Sequence, residues 1–533
     1  MMTRDEMKSA VQNGQAVLGI ELGSTRVKAV LIGPDHAPIA SGAFDWENQL
    51  VDGVWTYPLE LAWQGVQAAY RQMAQEVEEA CGHPVKRLGA LGFSGMMHGY
   101  LPFDKEGSQL AEFRTWRNTI TEEEAAQLTE LFGFNIPQRW SIAHLWRAIR
   151  RGEAHVGKID YLTTLAGYIH WKLTGRRVLG VGEASGMFPI DSETGGFDRE
   201  MAQKFDALAA EKGLSWKLLD ILPQVLSAGE DAGCLTEEGA RLLDPTGTLE
   251  PGAPLCPPEG DAGTGMAATN SVRERTGNVS AGTSVFSMVV LEKPLSRVYP
   301  EIDMVTTPDG KPVAMVHVNT CTSDLDAWVK LFAQLLEAAG AKLTKPQLYD
   351  LLYFQALEGA PDCGGLVSYN CYSGEPVTGL GEGRPLLMRQ PENKLTLPNF
   401  MRAQLYAAMA TLAIGMDLLW QEKVQVEKLY GHGGLFKTKG VGQRLLAGAL
   451  GVPVAVMETA GEGGPWGMAL LAAYRKNRQE GQCLADYLEN QVFAGAAGDC
   501  VSPDPADQEG FARYIRRYQA GLAVEKAAGQ VLR

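Results

Sequence analysis

Two stretches of the chain repeat one pattern of apolar and polar positions. VLGIELGSTRVKAVLIG (17–33) and GNVSAGTSVFSMVVLEK (277–293) each run as an apolar β-rich segment, a small turn and a second β-rich segment. The turns are Gly23-Ser24-Thr25 and Gly282-Thr283-Ser284. Each stretch predicts a β-hairpin, and the pair predicts two copies of one unit. After the first hairpin comes a third β-like run, 37–44. In the segment that follows, Leu61, Val66, Ala69, Tyr70 and Met73 recur at helical spacing. RLGALGFSG (87–95) then reads as a buried strand ending in glycine. Three strands, a helix and a further strand predict an α/β beginning.

Beyond it, residues 111–150 and 198–255 read as mainly helical. Thr121 followed by Glu124 predicts a capping box, and Gly175 closes a helix within 160–175. In the second half, 321–339 predicts an amphipathic helix and 397–421 a long buried one. Residues 368–387 form a long glycine-rich loop. Residues 426–458 read as strand, glycine-rich turn, helix and strand, a βαβ unit. The Pro-rich run 251–258 leads rigidly into the centre of the chain, and the polar segment 268–276 marks a boundary. The expected units are 15–270 and 271–525.

Composition narrows the partners. The 533 residues are 45% hydrophobic and 21% charged, ordinary for a globular protein. A net charge of −15 argues against nucleic acid and anionic membranes. It leaves room for a nucleotide, whose phosphates backbone N–H groups and a metal can hold. No uninterrupted apolar run is long enough to span a membrane, and the first 15 residues lack the apolar core of a signal peptide. Eight scattered cysteines without a CxxC pair predict reduced thiols in a cytoplasmic protein and no zinc site.

Candidate chemistry clusters at a few places. Asp261 stands in PPEGDAGTGMAATN (257–270) among Gly260, Ala262, Gly263 and Gly265. It reads as a general base or as a turn or N-cap aspartate. Glu21 interrupts an apolar strand and reads as a metal-side carboxylate or a buried paired one. His98, framed by glycines after the strand 87–95, can bond a polyol hydroxyl or cap a backbone carbonyl. Trp116-Arg117-Asn118 suits a sugar's apolar faces and polar edges; a core tryptophan beside a solvated arginine fits equally. Gly433 and Gly434 admit a flat base against bare backbone, or serve a tight connection.

Taken in order, these motifs resemble the FGGY carbohydrate kinases of the actin-like ATPase superfamily. GIELGSTRVKAVLI is similar to the family's first phosphate motif and SGMMHG to the substrate motif of xylulokinases. GDAGTGMA is similar to the segment carrying the catalytic base, and SAGTSVFSM to the second phosphate motif. YGHGGLFKT, the next helix and PVAVME resemble the adenosine motif. TGRRVLGVGEASGMFPID (174–191) resembles a characteristic loop of the first lobe. The resemblance implies an α/β fold of two actin-like, ribonuclease H-like lobes with an ATP and sugar cleft between them.

It also implies an ATP-dependent kinase, most like a xylulokinase, that phosphorylates a ketopentose or related polyol. Asp261 would be the base and a sugar contact, with Met97, His98, Trp116 and Asn118 around the sugar. Gly23, Ser24, Thr25, Gly282, Thr283, Ser284, Gly433 and Gly434 would hold ATP, and Glu21 would hold Mg²⁺ through water. The partner is a small sugar, and kinases of this kind are often dimers. Two departures stand out: Glu21 where the family has Asp, and Asn118 where xylulokinases have the Asp of Trp-Asn-Asp. A kinase for another sugar, such as L-ribulose or glycerol, stays open. So does a non-catalytic sugar- or nucleotide-binding regulator, although the retained Asp261 speaks against it.

Overall fold

The computed structural model describes residues 2–457, 463–495 and 498–532. The chain divides into two compact units. The first comprises Met1–Val272, Met304–Val313 and Glu462–Ala494; the second comprises Arg273–Asp303, Ala314–Gly461 and Gly495–Arg533.

In the first unit the opening hairpin is β1 (Val17–Leu22) and β2 (Arg26–Ile32), followed by β3 (Pro38–Asp45), helix α1 (Leu59–Cys81) and β4 (Ala90–Gly95). A two-residue strand β5 (Glu259–Gly260) runs straight into helix α2 (Asp261–Ala268). The sheet order is β5-β4-β1-β2-β3. β1 is antiparallel to β2, with Glu21 opposite Lys28, and parallel to β4, with Glu21 opposite Ser94. β5 runs parallel to β4 and sets Glu259 opposite Ser94. Glu259, Ser94 and Glu21 therefore stand in one row across three adjacent strands.

One cover of this sheet comes from far along the chain. Helix α3 (Gly463–Asn477) packs on β1 and β4 and against α2. Glycine makes the approach close enough. A Cβ on Gly19 would lie 2.1 Å from the Pro465 carbonyl, and one on Gly467 would lie 2.0 Å from the Thr264 carbonyl. On the other side, a Cβ on Gly42 would lie 2.0 Å from the Ala69 carbonyl, so α1 sits equally close to β3.

In the second unit β6 (Thr276–Ala281) and β7 (Val285–Val290) repeat the hairpin. With β8 (Ile302–Thr306), β9 (Pro312–Val318), β10 (Lys428–His432), β11 (Val454–Val456) and β12 (Asp499–Val501) they form a seven-stranded sheet of order β8-β9-β7-β6-β10-β11-β12. β10, the helix Val441–Leu450 and parallel β11 make the βαβ unit. The helix Leu397–Gln421 is long and apolar enough to cross a membrane, but most of it is buried inside the protein. Within it, fully buried Arg402 pairs with Asp507, which also holds Arg444 at 2.7 Å.

Several sequence expectations need correction. Thr121 precedes the helix Glu122–Phe132 without capping it, because its hydroxyl donates to the Gln138 carbonyl. Glu124 is drawn instead to Arg150, at 2.6 Å. Only Arg199–Ala210, Leu218–Ile221 and Glu237–Leu243 are helical within 198–255, since Gly and Pro interrupt the apolar pattern. The segment 160–175 opens with the strand Tyr161–Thr163 before its helix. The loop 368–387 is pinned at its ends by a short antiparallel pair, Val367–Tyr369 with Leu386–Met388.

Candidate active site

The two hairpin turns are built alike. In the first, the Gly23 carbonyl accepts from Trp46 Nε1 at 2.6 Å and the Ser24 carbonyl from the Tyr57 hydroxyl at 2.6 Å. The Thr25 carbonyl accepts the Trp46 backbone N–H. In the second, Thr322 donates to the Gly282 carbonyl through both its N–H and its hydroxyl, and the Cys321 N–H donates to the Thr283 carbonyl. Every carbonyl named is thus satisfied from behind. Among the described residues the N–H groups of Ser24, Thr25, Thr283 and Ser284 meet no protein acceptor. A cluster of outward backbone N–H groups binds anions. Trp46, Tyr57 and Thr322 escape sequence reasoning, because nothing in their spacing ties them to the turns.

Asp261 is the first residue of α2, where the helix N-terminus favours negative charge. Its Oδ1 accepts the backbone N–H of Met97 at 3.2 Å and of Ala262 at 3.0 Å. That anchors one oxygen and presents the other. The side chain is exposed, yet ringed by protein. Desolvation by that ring pushes its pKa up, and the backbone hydrogen bonds pull part of the way back. A raised carboxylate is a better proton acceptor near neutral pH.

Glu21 lies in the same unit on β1. A Cβ on Gly464, in the first turn of α3, would lie 1.5 Å from Glu21 Oε2, and one on Gly23 3.5 Å from Oε1. The carboxylate therefore occupies a cradle of bare backbone. Burial and the charge of Asp261 raise its pKa to about 8, against a smaller opposing effect from Lys28.

The SGMMHG segment, residues 94–99, carries real strain. His98 has φ 73, unusual for a residue with a side chain, and Gly99 follows at φ 107. Arg139 Nε donates to His98 Nε2 at 3.1 Å, which places the imidazole proton on Nδ1, facing the Gly186 carbonyl at 3.1 Å. His98 is 5% exposed and so caps a carbonyl, the plainer of its two sequence readings. Met97 is also buried, and it reaches Asp261 through its backbone. Asn118 is 2% exposed, with its amide spent on the backbone N–H and carbonyl of Trp55, both at 2.8 Å. It clamps the loop that presents Trp116. Trp116 is 38% exposed rather than core, and its Nε1 donates to Ser24 Oγ at 3.3 Å. Arg117 lies 4.0 Å over the Trp55 ring.

In the second unit Gly433 has φ 99, and a Cβ there would lie 2.4 Å from the Ala281 carbonyl. Only glycine fits so close to the strand end that leads into Gly282-Thr283-Ser284. Gly433 and Gly434 are exposed. The turn at Gly433-Gly434 and the second hairpin turn are therefore neighbours.

Comparison with known proteins shows the family. The model of the FGGY family of carbohydrate kinases, N-terminal domain, matches residues 16–248, and the C-terminal domain model matches 277–475. Xylulose kinase of Haemophilus influenzae is 22% identical over 436 residues, covering 78% of this chain and 82% of its own. The structure of xylulose kinase from Rhodospirillum rubrum matches with TM-score 0.77 at 20% identity, covering 96% of this chain and 98% of its own. Gluconate kinase from Lactobacillus acidophilus matches with TM-score 0.77 at 16% identity, covering 97% and 99%. With both domain models matched in order, the chain belongs to the FGGY family of carbohydrate kinases, sugar kinases whose phosphoryl donor is ATP.

Proposed function

We propose that Asp261 is the general base of this kinase and that the acceptor is a ketopentose or related polyol, most like xylulose. One observation carries the reading. A single carboxylate with a raised pKa has one oxygen fixed by two backbone N–H groups and the other presented from a helix N-terminus. Asp261 accepts the proton of the attacking hydroxyl as transfer proceeds. Phosphoryl transfer asks mainly for alignment and charge neutralisation. The N–H groups of Ser24 and Thr25, and those of Thr283 and Ser284, take phosphate oxygens, while Gly433 and Gly434 receive the base and ribose. Trp116 lends a sugar-facing ring, held by Asn118 from behind. His98 and Met97 shape the sugar site through the backbone they fix.

The residues present fit magnesium held through water. Glu21 offers a carboxylate in a bare-backbone cradle. Among the described residues no group of three or more ligating side chains forms a protein cage. Magnesium keeps several waters and needs few protein ligands. When bound, it neutralises phosphate charge. We extend the reading to a cytoplasmic homodimer, supported by eight free cysteines for the compartment and testable by light scattering for the dimer.

A second reading is favoured by Arg139. Its guanidinium reaches the substrate motif through His98, and a cation there suits an aldonate carboxylate. ADP release from Mg-ATP, measured against D-xylulose, D-ribulose, L-ribulose, L-xylulose, glycerol and gluconate, tests both. Turnover with a ketopentose supports the first reading, and turnover with gluconate alone replaces it by the second. ATP binding without sugar-stimulated turnover by any of them would point to a regulator.

A further inference from the structure

Beside Asp261, in the same unit, lie two carboxyl groups that the mechanism above does not use. Glu183 is 0% exposed and Glu259 1% exposed. Glu259 Oε2 accepts the Glu183 backbone N–H at 2.9 Å. The Glu259 carboxyl is seated on bare backbone: a Cβ on Gly180 would lie 2.1 Å from Oε1, and one on Gly182 2.5 Å from Oε2. Glu183 Oε2 abuts Gly260, the residue before Asp261, where a Cβ would approach it to 2.5 Å. The same Cβ would meet Met97 Cγ at 2.4 Å, and Met97 is the residue whose N–H anchors Asp261. Glu183 Oε2 and the Met97 side chain therefore both pack against Gly260, the residue that leads into the base.

Among the described residues, no cation offsets the charge of the pair. Asp261 on α2 and Asp309 in Met304–Val313 face it with negative charge, and no cation is among the groups acting on either carboxyl. The Thr164 hydroxyl favours a charged Glu183, and the N–H groups of Glu183, Gly182 and Gly260 favour a charged Glu259. Below them the buried Cys256 thiol stays protonated. His170, on the helix Leu165–Thr174, is held neutral by burial. His98 approaches from Gly186 with its Nδ1 proton already committed. Among the described residues, both Glu183 oxygens, Glu259 Oε1, Ser94 Oγ and Thr163 Oγ1 are buried without a hydrogen-bond partner. Such orphans are rare and call for a shared proton or an internal water.

We propose that Glu183 and Glu259 form a proton-holding carboxyl pair that positions Asp261 and adds no further negative charge beside it. The inference rests on Asp261 being the base. Two carboxyls this close to each other, and to a third, do not all ionise. Burial raises Glu259 to about 8 and Glu183 well above the usual carboxylate range. Asp261 then faces O–H dipoles instead of two anions. Neither glutamate touches substrate, so both are positioning residues.

The test compares pH profiles of kcat/KM for the wild type, E183Q and E259Q at saturating Mg-ATP, with D261N beside them. Glutamine mimics the neutral acid, so both variants should stay within about tenfold of wild type at neutral pH. They should also lose the alkaline decline that ionisation of the pair gives the wild type. A hundredfold loss, on the order of a missing catalytic group, in a folded glutamine variant would overturn the proposal. So would a shift in thermal midpoint with the alkaline limb unchanged. Infrared spectra of glutamate-labelled wild type, E183Q and E259Q give a readout independent of activity, the differences separating the pair from Glu21. A protonated carboxyl band at neutral pH that fades at alkaline pH is expected in wild type and in D261N. Its absence would overturn the pair. Sugar-dependent turnover surviving in D261N would overturn the base instead, with the infrared band still reporting on the pair.

Discussion

At the scale of single residues, the proposed base Asp261 and the proposed metal-side carboxylate Glu21 make separable predictions. Asp261→Asn keeps the size and the anchoring at Oδ1 but removes the proton acceptor. Turnover should fall by about 10²–10⁴-fold, the usual worth of a general base, with ATP affinity by calorimetry unchanged. Glu21→Gln should leave turnover at saturating magnesium closer to wild type and raise the magnesium concentration needed for half-maximal rate. A magnesium titration of initial rates reads this directly, and an unchanged requirement would remove Glu21 from its role. Asp261 stands out in the sequence as a lone carboxylate among small residues, although a turn or N-cap aspartate fits the same pattern. His98 and Asn118 were legible only as motif positions. Their partners, the Gly186 carbonyl and the Trp55 backbone, lie 88 and 63 residues away in sequence, and no local pattern announces them.

At the scale of elements, two glycines where α3 meets β1, Gly464 on the helix and Gly19 on the strand, should respond to replacement in opposite ways. At Gly464 a methyl would strike the tip of Glu21, which can move. Gly464→Ala should therefore fold normally, with a thermal midpoint close to wild type, yet show the raised magnesium requirement of Glu21→Gln. At Gly19 a methyl would meet the Pro465 carbonyl at 2.1 Å and the Ala469 nitrogen at 2.4 Å, both backbone. Gly19→Ala must lift α3 off β1, and chemical denaturation should show a loss of about 3 kcal/mol, at the upper end of overpacking costs. Both hairpins and the βαβ unit were legible, since alternation and turn residues are local signals. Helix α3 was not: it is buried on nearly every side, so GGPWGMALLAAYRKN lacks the polar face that marks an amphipathic helix.

For the whole molecule, the buried acids set the sign of the pH dependence. Glu21 and Glu259 have pKa values of about 8 in the fold against 4.5 for the free side chain. The native state thus binds more protons than the unfolded chain, and this contribution is lost as pH rises from about 4.5 to about 8. The slope is at most about 1.4 kcal/mol per pH unit for each group. Exposed carboxylates such as Asp231, lowered by Arg475, act in the opposite sense at the acid end. Urea midpoints should fall across that window, and Glu259→Gln should flatten the fall. The division into two units was visible in the paired hairpins. The return of the late segment Glu462–Ala494 to the first unit was not, because only tertiary packing joins it there.

That return has a temporal side. On the ribosome β1 emerges early, but the helix that covers it is complete only at Asn477. At ordinary elongation speeds the wait is roughly 20–90 s. Throughout it, the apolar face of β1 and β4 has no cover from its own chain. A nascent first unit is therefore a natural client for chaperones. A gene fragment ending near residue 270 should yield an aggregating product rather than a free-standing lobe. Supplying α3 in the same tube, as a separate peptide, should restore its solubility.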